Sequence, residues 1–240
     1  MEVQQIKMTI KPTKYEYKEA TYSKRRWILL KGFRQKTIEI ITALEKVHLH
    51  SVVHGSIARG DVRADSDIDI FIPEVQNSFL VEAALEKANI KINSRMIVQA
   101  TPNYAMKAHI ELNEKTSVSF PLMEMRRVER EFYSFGGEVN LKQLEDYIRI
   151  AGVDKRLMLI EPTETGHIES GIIGREENVA KSLGISAETV FDRVHTLLKR
   201  DKTGRTGLFI KKELNSEETF ELALKRLAEA NPAVRRRIKK

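Results

Sequence analysis

Residues 67–72 read Asp-Ile-Asp-Ile-Phe-Ile. Side chains on a strand alternate between faces, so Ile68, Ile70 and Ile72 share one face and Asp67 and Asp69 the other. The isoleucines go to a core, and the two carboxylates are left side by side on the opposite face. Paired anions on a strand are unfavourable unless a cation stands between them. Hard oxygen ligands of this kind suit Mg²⁺ or Mn²⁺. The competing reading is a solvent-facing strand with two hydrated aspartates.

Upstream, LHSVVHGSIARG reads as a strand that ends in Gly-Ser and passes into a helical turn. Gly55 permits close backbone approach to a ligand. The amides that open the turn, with the Ser56 hydroxyl, suit phosphate oxygens. The alternative is an ordinary turn with Ser56 as helix cap. Arg59 lies one turn on, placed either for a phosphate contact or for a salt bridge to Asp61 or Asp65.

The order strand, Gly-Ser, turn, loop, strand, Asp-x-Asp is more specific than either half. GSIARGDVRADSDIDIFI resembles the signature of the DNA polymerase beta superfamily of nucleotidyltransferases, especially its minimal members, and is similar to archaeal-type CCA-adding enzymes. Residues 45–125 carry the resemblance, and 54–72 match closely. It implies an α/β (α+β) fold: a small mixed sheet flanked by helices. It also implies an NTP such as ATP held by Gly55 and Ser56, metal at Asp67 and Asp69, and attack of an acceptor hydroxyl on the α-phosphate with release of pyrophosphate.

The resemblance also expects a third acid on a neighbouring strand. In TSVSFPL, Ser119 stands where that aspartate is expected, and a serine is neither a general base nor a strong Mg²⁺ ligand. Glu111, on the partner strand of the hairpin, is the candidate replacement, ahead of Glu114 and Glu124. Its face depends on the turn. A two-residue turn at Glu114-Lys115 puts Glu111 opposite Val118. A three-residue loop centred on Glu114 puts it opposite Ser117, with His109 opposite Ser119. A solvated strand glutamate is the competing reading.

The chain has 240 residues, 41% hydrophobic and 31% charged, so a core is expected and global disorder is not. It has no cysteine, which excludes disulfides and thiolate zinc sites. No apolar run reaches membrane length and the N-terminus lacks a signal-peptide core, so a cytoplasmic protein is expected. Strands are expected at 6–10 and in SRMIVQAT, AMKAHIEL, TSVSFPLM and RLMLIEP. Helices are expected over 23–48, weakened at Gly32, over 79–88 and in LKQLEDYIRIAG. His48, His50 and His54 lack metal-site spacing, and GHIES reads as a surface loop.

The net charge of +7 is uneven: residues 171–240 hold 16 Lys/Arg against 10 Asp/Glu. There, 177–200 has helix-turn-helix form, with Gly184 at the turn and Ser186 as N-cap. Val190, Val194 and Leu197 face inward, and Thr189 and Arg193 outward as on a recognition helix. RDKTGRTGLFIKKEL reads as a wing. Lys199, Arg200, Lys202 and Arg205 are then placed for phosphates of DNA or structured RNA. The resulting division is a nucleotidyltransferase domain over 1–140, a connector over 141–170 and a basic winged helix-turn-helix over 171–240. A protein-modifying adenylyltransferase and a non-catalytic nucleotide-sensing regulator are the rival functions.

Overall fold

The computed structural model describes residues 17–204 and 207–238. The strand expected at 6–10 lies outside them. β1 (Lys18–Thr21) leads into α1 (Lys24–Glu45), which starts where Ser23 accepts a hydrogen bond from the Arg26 amide. β2 (Val52–His54), α2 (Ser56–Arg59), β3 (Ile68–Phe71) and α3 (Ser78–Lys87) follow. Next come β4 (Ser94–Gln99), β5 (Lys107–Asn113), β6 (Thr116–Pro121), α4 (Arg127–Gly136) and β7 (Glu138–Asn140). The remainder is α5 (Leu141–Glu145), β8 (Gly152–Val153), β9 (Met158–Thr163), β10 (Gly166–Gly171), α6 (Glu176–Leu183), α7 (Ala187–Thr203), β11 (Ile210–Glu213), α8 (Phe220–Ala230) and α9 (Pro232–Ile238).

Seven strands form one mixed sheet in the order β11-β4-β5-β6-β3-β2-β7, in which β3 and β6 run parallel. Ile68, Ile70 and Ile72 enter its main core, together with Ile41 and Leu44 of α1, Val81 and Leu85 of α3, and Phe220 of α8. The period-two pattern thus packs one face beneath helices, as alternation requires. On the other face, α4 lays Tyr133 flat on Phe71, with centroids 3.6 Å apart. β1, β10, β9 and β8 make a second, antiparallel sheet.

Three expectations change here. GHIES is not a surface loop but β10, where buried His167 accepts or donates at 2.7 Å to the Tyr22 hydroxyl. Pro162 does not end β9, because it sits within the β9–β10 ladder opposite His167. The expected helix from Leu141 stops at Glu145, and Tyr147 takes a left-handed φ of 57°.

The largest change concerns 171–240. The helix-turn-helix forms: Gly184 is left-handed at φ 66°, and Ser186 accepts from the Thr189 amide. The wing does not. α7 runs to Thr203, and β11 pairs antiparallel with β4, at the edge of the nucleotidyltransferase sheet. Leu214, Phe220, Ala223 and Val234 join the main core, while Val179, Val190 and Val194 pack with Phe135, Val153 and Leu159. Pairing with β4 satisfies one side of the backbone of β11 and covers the edge that β4 would otherwise expose.

Candidate active site

β2 runs antiparallel to β3, pairing Val53 with Ile70, so the end of β2 meets the beginning of β3. That places Gly55 and Ser56 beside Asp67 and Asp69. Gly55 has φ 81° and ψ −142°, a conformation close to the region that only glycine occupies readily. Its amide donates to the Gly137 carbonyl at 2.9 Å. The Ser56 hydroxyl lies 3.3 Å from the Ser66 hydroxyl, which also accepts from the Arg63 amide. The loop that carries Asp67 is thereby tied to the start of α2.

From behind, Arg34 of α1 braces α2 by donating to the carbonyls of Ile57 and Ala58. Arg59 is 5% exposed. Its guanidinium forks onto Asp61 at 3.0 and 3.1 Å and donates to the Gly136 carbonyl at 2.6 Å. The salt bridge to Asp61 is what the fold holds at this position.

Along the sheet, Asp69 pairs with Ser117, Ser117 with Glu111, and Glu111 with Ser94. These four share a face. The register comes neither from a three-residue loop nor from a plain two-residue turn. Asn113 pairs with Thr116 around Glu114-Lys115, and the ladder shifts between Glu111 and Asn113. A bulge inserts one unpaired residue, Leu112, and restores Glu111 to the aspartate face. His109 then stands opposite Ser119.

The same ladder shows which serine stands beside Asp69. Ser117 is the lateral neighbour of Asp69 and donates to it at 3.0 Å, whereas Ser119 pairs with Phe71. Glu111 is two strands from Asp69, about 10 Å at the usual strand spacing. Its carboxylate accepts from the Ser94 hydroxyl at 2.6 Å, on the side away from Asp69. Asp67 is exposed and Asp69 half-buried. Among the described residues, no cluster of three or more acidic, His or Cys side chains stands ready for a metal. The donor set at Asp67 and Asp69 still suits a hard cation: two carboxylates, with the Ser117 hydroxyl beside them.

Three side chains on this face were not singled out from the sequence. Lys107 donates to the Tyr133 hydroxyl at 2.8 Å and lies 4.8 Å from the centre of that ring. Burial lowers its pKa from 10.5 to about 8, against a smaller opposing pull from Glu129. Arg130 forks onto Glu138 at 2.8 and 2.9 Å. Burial raises the Tyr133 phenol, chiefly by desolvation. His54 packs edge-on to Phe132 and Tyr133, and burial pushes its imidazole well down despite nearby Asp69. It is a neutral packing residue. Burial also lowers His109, opposed by Glu111 and Asp69. A cleft of about 610 Å³ lies past Phe71 between Pro73, Pro121, Met123, Arg130 and Leu224, away from the aspartates.

Lys107 gives a pH signature. Between pH 8 and 10.5 the unfolded chain holds a proton there that the folded chain has released, so stability rises with pH across that window. Lys107→Met should flatten that slope in denaturant titrations at several pH values. An unchanged slope would mean that Lys107 is solvated.

A family model for the nucleotidyltransferase domain matches residues 34–162. The chain belongs to the nucleotidyltransferase family. Within this nucleotidyltransferase, the matched span runs from α1 through β9 and includes the Gly-Ser turn and both aspartates. Nucleotidyl transfer is the general class of chemistry that the family's name describes. No curated protein matches the chain. A solved structure of a CCA-adding enzyme with ATP aligns with 92% of this nucleotidyltransferase and 50% of its own chain, at 17% identity and a TM-score of 0.29. The chain thus spans about half the length of that protein, and a likeness at that score carries no argument about function.

The expected nucleic-acid contacts divide sharply. Thr189 is fully buried and donates to Glu131 of α4, which also accepts from Ser186. Arg193 is tucked over the Phe132 ring at 4.9 Å. Both face α4 rather than solvent, because Glu131 needs donors and α7 supplies them. Lys199, Arg200 and Lys202 are exposed at the end of α7. Arg205 lies outside the described residues. No helix among those residues is long and apolar enough to cross a membrane.

Proposed function

We propose that the chain transfers NMP from an NTP to an acceptor hydroxyl, at the face bearing Asp67 and Asp69. The observation that carries this is the convergence of the Gly55-Ser56 turn and the two aspartates at one end of the β2–β3 pair. The amides that open α2 from Ser56 on, with the Ser56 hydroxyl, hold triphosphate oxygens; Gly55, whose own amide is committed to the Gly137 carbonyl, allows the approach that a side chain would strain. Asp67 and Asp69 hold Mg²⁺ or Mn²⁺. When bound, that ion supplies positive charge against the phosphates, which is where phosphoryl-type displacement needs stabilisation. Arg59 keeps α2 in place through Asp61 and Gly136 rather than touching phosphate. Glu111 accepts the proton of the attacking hydroxyl once its bond to Ser94 is exchanged for one to the acceptor. The acceptor is nucleic acid.

Ser117 favours a second reading. With a hydroxyl beside Asp69 and Glu111 turned to Ser94, the site binds nucleotide and metal without turning over, as a sensor would.

Incubation with α-labelled NTP and Mg²⁺ or Mn²⁺, with RNA, DNA or cell lysate present, separates these. Label on nucleic acid is the expected result. Label on a protein would instead show a protein-modifying enzyme. NTP binding without any label would show the sensor.

A further inference from the structure

Six of the first thirteen residues of α1 are Lys or Arg, and no acid occurs before Glu39. Arg34 turns inward to α2, and Arg26 lies over the Tyr22 ring at 4.1 Å. Lys24, Arg25, Lys31 and Lys36 are exposed, and among the described residues none makes an ion pair with a carboxylate. The first turn holds three cations and no acid. The helix dipole is already positive at that end, so this arrangement opposes helix formation.

The same surface carries Gly32, exposed in mid-helix, where a Cβ would meet nothing within 4 Å. Interior glycine weakens a helix, and among the described residues no contact requires one. At helical spacing Lys24, Ile28, Lys31 and Gln35 form one line, with Gly32 and Lys36 beside it. Both features are costs to the isolated fold. Both suit a polyanion whose backbone lies close against the helix.

The line runs on the helix side of the sheet, opposite the face of Asp69. Beyond Lys36 it opens on a cleft of about 560 Å³ between α1 and the β5–β6 hairpin, lined by Leu29, Phe33, Ala64, Ile68 and Lys115 among others. The Lys115 ammonium donates to the Ala64 carbonyl at 3.3 Å. Ala64 and Ile68 bracket the segment that holds Ser66 and Asp67.

We infer that the exposed face of α1 docks single-stranded nucleic acid by its phosphates. The strand runs past Gly32 toward the cleft beside Lys36 and Lys115. Recognition is independent of sequence, because the contacts are ammonium and guanidinium groups to phosphate. A cleft of this size admits a nucleotide or two but not a duplex. The docking does not rest on the proposed transfer activity.

The test is fluorescence anisotropy of a short labelled oligonucleotide with the full chain, without NTP or metal, over about 50 to 200 mM salt. Four phosphate contacts to a single strand predict a log–log salt slope of about −3. The triple variant Lys24→Gln, Lys31→Gln, Lys36→Gln should reduce that slope by about 2 and weaken binding at least about tenfold at low salt. Gly32→Ala should weaken binding while raising the melting temperature, which separates docking from folding. Lys199→Gln, Arg200→Gln, Lys202→Gln should leave the slope unchanged. The inference is overturned if the triple variant binds like the parent, if the α7 variant carries the loss, or if the parent binds no oligonucleotide. Tighter binding of duplex, or equal binding of poly-glutamate conjugates in place of oligonucleotide, would overturn it as well. Asp69→Asn should bind the oligonucleotide as the parent does, so a failure of transfer is read separately from a failure of docking.

Discussion

Asp69→Asn should lower nucleotidyl transfer at least about a thousandfold, a barrier increase of about 4 kcal/mol. The melting temperature should stay within a few degrees of the parent's. The two effects separate because Asp69 does little for the fold: its described side-chain hydrogen bond is the one from Ser117, at 3.0 Å. An asparagine keeps an acceptor there, so at most about 1 kcal/mol of stability is at stake. What it loses is the charge that pairs with Asp67 in holding a cation. Ser117→Ala removes the same hydrogen bond while keeping both carboxylates, and should leave most of the activity. If Asp69→Asn and Ser117→Ala were equally active, the aspartate pair would not be the metal site. Kinetics with Mg²⁺ and Mn²⁺, beside thermal unfolding of each variant, make the comparison.

Phe220→Ala should destabilise the whole chain by about 3–5 kcal/mol. Phe220 is fully buried on α8 and meets Phe120 of β6 edge-on at 5.5 Å. Its neighbours include the sheet that carries Asp69. For a chain of this length, that loss lowers the melting temperature by about 10 °C, in one transition. An independent C-terminal domain would behave otherwise. Residues beyond 171 would melt early, and the nucleotidyltransferase sheet would unfold where it did before. Calorimetry distinguishes one shifted peak from two.

The fold and site were legible where the information is local. The alternation of Ile68, Ile70 and Ile72 with the aspartates fixed β3 and its buried face. Ser23 and Ser186 marked helix starts, and Gly184 a sharp turn, because caps and left-handed turns depend on a few adjacent residues. Three features depend on distant partners and were not legible. β11 looks like a wing until β4 appears beside it, more than a hundred residues earlier in the chain. Thr189 and Arg193 sit where a recognition helix exposes its readers, and only Glu131 and Phe132 on α4 show that this side is covered. The face of Glu111 turns on the single unpaired Leu112, and no composition rule separates a bulged hairpin from a regular one. The pattern match placed the absent acid at Ser119. Cross-strand pairing instead sets Ser117 beside Asp69, two pairs nearer the start of β3 than Ser119.

The central claim is that Asp67 and Asp69 serve nucleotidyl transfer. It is tested most directly by counting products. With α-labelled ATP, Mn²⁺ and single-stranded RNA, the parent should release one pyrophosphate for each labelled nucleotide joined to the acceptor, and Asp69→Asn should release neither. Labelled acceptor formed equally well by Asp69→Asn, or a folded, ATP-bound parent that yields neither product with any acceptor, would contradict it.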